Sequence, residues 1–361
     1  MAIKINTTEV IDDDGKAVNI PALKVEHPTT ASTVVEVKHG FTFGGHFSGF
    51  HVAGHPSSNA PSGFSVISIQ KYPFSISSGT ATDVGDLTAA RSGHSGVSSP
   101  TNGFVAGGFA STTPISTFEK FPFFISGGTA TSAGNLSSGR SQATGTSSTS
   151  SHGYVTGGYQ PPGNYYTTVQ TTIDKYPFAS EGTSTDVGDL VFAVRLAGGQ
   201  SSGTHGYTTG GATNFPSFPQ PPASYMDEVQ KYPFSISSGT AKNVLDIGTA
   251  RSGTTGASSE TNGYSTGGQY GYPSTTTTQI NYFPFASEVS NHQGYTTGSG
   301  VVEATGSSSR TDGFRASGRP ASLPASALSR IDKWPFSSTG NATEVGDLAS
   351  PRGYQASGHQ Y

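Results

Sequence analysis

Five arginines, Arg91, Arg140, Arg195, Arg251 and Arg352, pose the first chemical question in this chain. Gathered on one surface, such guanidiniums would clamp a carboxylate or phosphate through paired hydrogen bonds. A second candidate is the acidic phrase Asp83-Val84-Gly85-Asp86-Leu87. General acid–base work on a glycosidic bond needs two carboxylates converging on one bond. The unrepeated acids Glu181, Asp227, Glu228, Glu260 and Glu303 are scattered and form no such pair. His39, His46, His51 and His55 fall within 17 residues, with His359 available near the other end. Imidazoles on one side could hold a transition metal. No carboxylate stands at ligand spacing beside them, so neither metal nor cofactor is assigned. Zero cysteines exclude disulfides, thiolate nucleophiles and cysteine-ligated metals. Trp334 is the lone tryptophan, and such a ring could stack on a sugar.

The elements that must position these groups recur. The phrase KYPFSISSGTATDVGDLTAAR, residues 71–91, is written about six times. Its Pro-Phe pairs begin at Pro73, Pro122, Pro177, Pro233, Pro284 and Pro335, spaced by 49, 55, 56, 51 and 51 residues. A period near 50 in a Gly-rich, strand-like sequence implies propeller blades and not a helical solenoid. The arginines then recur at one repeat position, and a residue supplied by every blade serves every blade. Arg91, Arg140, Arg195, Arg251 and Arg352 are therefore expected to pair carboxylates or carbonyls between neighbours. Trp334 aligns with Tyr72, Phe121, Tyr176, Tyr232 and Phe283, a packing position.

Composition agrees with thin, stacked sheets. The chain has 361 residues, 49 of them glycine, with 32% hydrophobic, 11% aromatic and 12% charged. Low charge with regularly placed aromatics argues against a solvated coil. A net charge of −4 gives no broad attraction to nucleic acid. No apolar run reaches the roughly 20 residues of a membrane helix, so no membrane insertion is expected. The opening residues lack the basic-then-apolar pattern of a secretory signal.

Within one repeat, SGHSGVSSP after Arg91 fits an inner strand, and Thr101-Asn102-Gly103 is a turn. Phe104-Val105-Ala106 then leads to Gly107-Gly108, and residues 115–121 alternate apolar and polar as a half-buried strand does. Pro122 ends that strand, and residues 129–136 supply an outer one. The second strands superimpose as NGFVAGG, HGYVTGG, HGYTTGG, NGYSTGG and DGFRASG.

This order resembles the kelch repeat over residues 40–361. The resemblance implies an all-β, kelch-like β-propeller of six four-stranded blades, seven being the alternative, with a short N-terminal β extension. The usual outer-strand Trp is absent and Pro-Phe takes over part of the packing. The fifth copy reads ASEVSNHQGYTTGSGVVEATG, without Gly-Asp-Leu or a matching Arg, and is expected to hold a degenerate outer strand. Closure is expected through PRGYQASGHQY at the C-terminus, with 41–46 as a competing inner strand, because a closed ring exposes no sheet edge. The arginines also resemble the arginine cluster of sialidases, which are propeller enzymes too, and residues 83–87 resemble their Asp-box without its closing aromatic. Galactose oxidase, a copper enzyme with kelch-like blades, needs a cysteine that this chain lacks.

Function is expected where the repeats disagree. The loops after the Gly-Gly pairs read FASTTP, YQPPGNYYTT, ATNFPSFPQPPASYM and QYGYPSTT. They place Phe109, Tyr159, Tyr165, Tyr166, Phe215, Phe218, Tyr270 and Tyr272 on one rim, where rigid aromatics suit partner or glycan contact, with self-packing as the alternative. Residues 1–39 contain no repeat. Ile3, Ile5, Val10 and Ile11 alternate with polar residues before a turn at Asp12-Asp13-Asp14-Gly15. This opening resembles N-terminal segments of tail-fibre-like virion proteins of tailed phages of marine bacteria. The resemblance implies a non-enzymatic structural protein, assembled in the host cytoplasm and placed in the virion tail or fibre. Residues 1–39 would contact other virion proteins, and the propeller a host-surface glycan or receptor; fibre proteins also commonly form homotrimers. The rivals are a glycan-processing propeller enzyme and a cellular kelch adaptor.

Overall fold

The computed structural model describes residues 3–5, 8–11, 47–54, 66–111, 113–148, 151–160, 169–213, 224–271, 275–320, 327–351 and 353. The chain divides into two units, Met1–Thr42 and Phe43–Tyr361. In the first, strands Ile3–Ile5 and Thr8–Ile11 pair antiparallel, with Ile5 opposite Thr8. The turn expected from the sequence is the Asp-rich stretch at residues 12–15. That stretch lies outside the described residues.

The second unit is all β among its described residues and consists of six blades. Blade 1 shows Ser48–Gly54, Val66–Pro73 and Thr82–Asp86. Blade 2 runs Ser95–Ser98, Asn102–Ala106, Thr117–Pro122 and Thr131–Asn135, in the order inner, second, third, outer. Blade 3 repeats this with Thr144–Ser147, His152–Thr156, Thr172–Pro177 and Thr185–Asp189. Blade 4 has Gly198–Ser201, His205–Ala212, Tyr225–Pro233 and Lys242–Asp246. Blade 5 has Thr255–Ser258, Asn262–Thr266, Gln279–Pro284 and Asn291–Tyr295. Blade 6 has Thr305–Ser308, Asp312–Ala316, Arg330–Pro335 and Thr343–Asp347. Blade 5 thus keeps its outer strand, and Gly294 supplies the glycine that Val-Gly-Asp supplies in blades 1, 3 and 6. Of the two segments named for the inner strand of blade 1, all of 41–46 and all of the C-terminal one but Pro351 and Gly353 lie outside the described residues.

The core sits between blades, not within them. Each second-strand aromatic packs on the third-strand aromatic and the Pro-Phe ring of the following blade. Phe50 meets Phe121 and Phe123, and Phe104 meets Tyr176 and Phe178. Tyr154 meets Tyr232 and Phe234, Tyr207 meets Phe283 and Phe285, and Tyr264 meets Trp334 and Phe336. The sixth triad joins Phe314 of blade 6 to Tyr72 and Phe74 of blade 1, with Phe314 and Phe74 stacked at 5.0 Å. The ring is therefore closed at its core. Trp334 is one member of this cycle and fully buried. Offset and edge-on ring pairs add about 0.5–1.5 kcal/mol each beyond area burial.

Outer edges are protected by the next blade. Ala130 N–H donates to Asp86 O at 2.7 Å and Ala241 N–H to Asp189 O at 2.8 Å. Ala81 N–H donates to Asp347 O at 2.7 Å, which repeats the contact across the closure. Such capping removes the unpaired strand edge that invites aggregation.

Around the axis, close approach dictates glycine. A Cβ on Gly145 would lie 2.0 Å from Gly96 O, and one on Gly256 1.9 Å from Gly199 O. Gly306 would meet Gly256 O at 1.9 Å in the same way. No side chain fits there.

Candidate binding face and the buried charges

The arginines do not gather on a surface. Arg91, Arg140, Arg195 and Arg251 are all buried. Arg91 pairs with Glu119 on the third strand of its own blade. Arg140 Nη2 lies 3.1 Å from Asp174 Oδ2 in the corresponding place. Arg251 finds the neutral Asn281 Oδ1 at 2.9 Å and Ser265 O at 3.3 Å. Burial lowers the pKa of each of these guanidiniums, and the carboxylates beside Arg91 and Arg140 push back. Arg251 has no such neighbour, and burial takes it down to about 10. Arg352 lies outside the described residues.

Arg195 breaks the pattern, which corrects the expectation of one shared position. Gly158 N–H bonds Val194 O just as Gly108 N–H bonds Arg140 O, so Val194 holds the repeat position and Arg195 follows it. The Val194 side chain packs in the core with Leu190 and Val187. The third-strand partner in that blade is neutral Gln230, and Arg195 Nη1 turns to Gln142 Oε1 at 3.1 Å. An arginine at position 194 would have faced no carboxylate. Blade 6 solves the problem differently: Val301 takes the connector position, and Arg315 reaches Asp332 from the second strand.

The third-strand partners also hold the connector arriving from the preceding blade. Glu119 accepts Thr88 N–H at 2.7 Å, Asp174 accepts Ser137 N–H at 2.9 Å, and Gln230 accepts Phe192 N–H at 2.8 Å. Gln70 accepts Ala349 N–H at 2.6 Å, once more across the closure. Of the other acids, Glu181 pairs with Lys120, and Glu288 with Lys231. Glu303 takes Arg319 in a fork at 2.8 and 3.1 Å. Among the described residues no group of three metal-binding side chains occurs. His51 is buried on the second strand of blade 1; His39, His46, His55 and His359 lie outside the described residues. His94, buried near Arg91 and bonded to Val52, is held neutral with its pKa down to about 3, first by burial and then by that guanidinium.

Two faces follow from the antiparallel register. The inner-to-second turns, such as Ser99–Asn102, and the Pro-Phe turns lie on one face. The Gly-Gly pairs and the loops after them lie on the other. Phe47, whose carbonyl accepts Phe74 N–H at 2.7 Å, occupies the turn face in the place of Thr101. The first described residue of the ring therefore lies on the face opposite the variable loops.

On the loop face, Phe109–Ala110 pairs with Thr113–Pro114, and Gln269–Tyr270 with Thr275–Thr276, as small hairpins. Phe109 is partly exposed, and its ring lies 5.9 Å from Tyr159. Tyr159 is only 6% exposed and sits in a two-way backbone pairing with Ser141, so it serves the packing of the rim instead of presenting a contact surface. Tyr270 is 37% exposed. Tyr165, Tyr166, Phe215, Phe218 and Tyr272 lie outside the described residues. The sequence reading missed a second exposed set, Phe124 at 81% and Phe47 at 77% on the turn face. Phe124 could have been found, because the other copies carry Ser or Ala after the Pro-Phe pair.

No protein-family model matches this chain, and no curated protein matches its sequence. Solved structures do match. The structure of YjhT aligns at a TM-score of 0.61 with 14% identity, covering 74% of this chain and 87% of that chain. At that identity the likeness is one of fold, and it supports a six-bladed β-propeller.

Proposed function

We propose that this protein is a non-enzymatic structural and binding protein of a tailed-phage virion. Its propeller is of kelch type and holds its loop face toward a host-surface glycan or receptor, or toward a neighbouring virion protein. The observation that carries this reading is the opposition of faces: Phe47, the first described residue of the ring, lies on the turn face, and the irregular aromatic loops follow the far ends of the second strands. A ring attached from one side and varied on the other suits presentation of a contact surface. The buried carboxylates Glu119, Asp174, Asp332 and Glu303 also favour binding over hydrolysis, because each is engaged by an arginine. A catalytic pair would need acids free to take and give protons. The phage-like opening of the sequence supplies the virion assignment.

Mass spectrometry and imaging of purified particles test the location; absence from every particle fraction overturns it. Serine replacement of Tyr165, Tyr166, Phe215 and Phe218 tests the face. Attachment weakens while the ring stays folded by circular dichroism, and unchanged attachment moves binding elsewhere.

A further inference from the structure

Among the described residues, the outer strand of blade 4 is the one that the following blade leaves uncapped. In blades 1, 3 and 6 the N–H groups of Asp86, Asp189 and Asp347 donate to Gly128 O, Gly239 O and Gly79 O, each at 2.9 Å, and their carbonyls accept in return. Asn135 O of blade 2 takes Ser184 N–H at 2.7 Å, beside the parallel pairing of that strand with Gly182–Thr183. Tyr295 O of blade 5 takes Ala342 N–H at 2.8 Å. Asp246, the same residue in blade 4, stands opposite Glu228 in its own sheet and has no backbone bond to blade 5. Both sides of this seam explain the omission. A Cβ on Gly85, Gly134, Gly188, Gly294 or Gly346 would lie 1.8–2.7 Å from a carbonyl oxygen of the capping segment, so a cap requires glycine there. In blade 4 that residue is Leu245, opposite Val229 as Gly85 is opposite Ile69. The capping segment differs too. Glu288 corresponds to Glu181, for each pairs with a lysine of the preceding blade and holds a φ of 52° or 55°. Gly182 then continues at φ +99°, a conformation closed to its counterpart Val289. Val289 O is taken by Asn291 Nδ2 at 2.8 Å, and the outer strand begins three residues after Glu288, against four after Glu181.

We propose that this open edge, Lys242–Asp246, is where two copies of the chain associate, strand against strand and antiparallel about a two-fold axis at Val244. An uncapped edge offers its backbone groups to an added strand. The charges on this strand select which strand that is. Antiparallel pairing about Val244 sets Lys242 of each copy across from Asp246 of the other, and opposite charges facing across strands attract. Both side chains are exposed, whereas Val244 and Leu245 are half-buried against the core of their own blade. Parallel pairing in register would oppose lysine to lysine and aspartate to aspartate, so the same residues reject it. The capped strands do not carry this pattern: their first residues are Thr82, Thr131, Thr185, Asn291 and Thr343, none of them charged. Val289 supplies an apolar flank. It is 57% exposed and follows Glu288, which pairs with Lys231, the residue opposite Lys242. A two-fold contact of this kind uses one patch twice and closes on itself, so it yields a dimer and not a fibre.

Sedimentation velocity of the full chain tests this at about 100 μM, a concentration that populates any association tighter than that. The wild type is expected to sediment as a dimer, and a monomer overturns the proposal. Lys242→Asp sets acids against acids and Asp246→Lys sets cations against cations, so each variant alone dimerises roughly tenfold or more weakly. The double exchange, Lys242→Asp with Asp246→Lys, makes the strand complementary to its own copy again and restores the dimer. A single variant that associates as tightly as the wild type, or a double exchange that stays monomeric while folded by circular dichroism, overturns the proposal. A second measurement leaves the charges alone. The chain has no native cysteine, and antiparallel partners lie about 4.5–5.5 Å apart at Cα, within disulfide reach. Val244→Cys, placed on the axis, is expected to oxidise to a covalent dimer on non-reducing electrophoresis. Thiols that stay free under the same oxidation overturn the two-fold pairing.

Discussion

Blade 3 and blade 6 bury the same ion pair by different routes. In blade 3 the guanidinium comes from Arg140 on the connector and meets Asp174 on the third strand. In blade 6 the connector offers Val301, and Arg315 reaches Asp332 from the second strand. What recurs is a guanidinium placed against a third-strand carboxylate, not an arginine at a fixed place in the sequence. Blade 4 completes the lesson: its connector position is Val194 and its third-strand residue is neutral Gln230, so charge is absent from both sides together. A buried charge whose partner is missing is costly, and that penalty couples the two positions.

The comparison can be broken most sharply at Asp332. Replacing it with alanine strands Arg315 and leaves Arg330, 3.4 Å from the same carboxylate, without it. The expected loss is about 3–5 kcal/mol of unfolding free energy, read by urea titration. A loss near zero would mean that the pair is idle. Next in size is relocation. Arg315→Val alone takes from Asp332 its buried guanidinium, leaving it Arg330 and the Thr297 hydroxyl, and costs about 3 kcal/mol, whereas adding Val301→Arg restores most of it by returning blade 6 to the route of blade 3. A double variant no more stable than the single one would show that the two routes are not equivalent. A smaller effect lies in blade 5, where Arg251 faces Asn281. Asn281→Asp supplies the carboxylate that blades 2, 3 and 6 have, and it raises stability by about 1–2 kcal/mol, visible as a higher thermal midpoint.

The smallest effects are read against pH. His94 has a folded pKa near 3, below its ordinary 6.5, so the unfolded chain binds the extra proton as pH falls through 6.5. Stability supplied by the neutral ring is full above 6.5 and declines toward pH 3. His94→Gln is therefore expected to flatten the acid limb of a stability–pH curve. Tyr72 has the opposite sign. Burial raises it to about 12 against its hydrogen bond from or to Ser307, so the native state loses stability as pH rises from 10 toward 12. In Tyr72→Phe that alkaline decline is smaller.

The repeat period and the four-strand blade could be read from residue types because each arises from a local rule, whereas the arginines expected to pair between neighbouring blades meet third-strand carboxylates of their own blade at Arg91 and Arg140. Pro-Phe ends a strand, and Gly-Gly ends the one before. The shift of Arg195 could not be read so, because Leu190-Val191-Phe192-Ala193-Val194-Arg195 carries apolar residues right up to the arginine, and only the bond from Gly158 fixes which residue sits in the repeat position. The migration to Arg315 was equally hidden, since DGFRASG aligns as an ordinary second strand. On the loop face, Tyr159 was legible as an aromatic on the rim but not as a buried one. Its fate depends on Ser141 and Phe109, which come from other parts of the ring. The turn-face pair Phe47 and Phe124 stood in plain sight as departures from the repeat.

The aromatic triads have a further consequence for how the domain comes apart. Each triad takes one ring from one repeat and two from the next, so no single stretch of about 50 residues contains a finished core. Linear repeat arrays fray from their ends, where a terminal unit has only one neighbour. Here the contact of Phe314 with Tyr72 and Phe74 gives every unit two neighbours, and the array has no terminal unit at which melting can start. Hydrogen exchange in the six third strands should accordingly report one shared opening event and not a gradient along the chain.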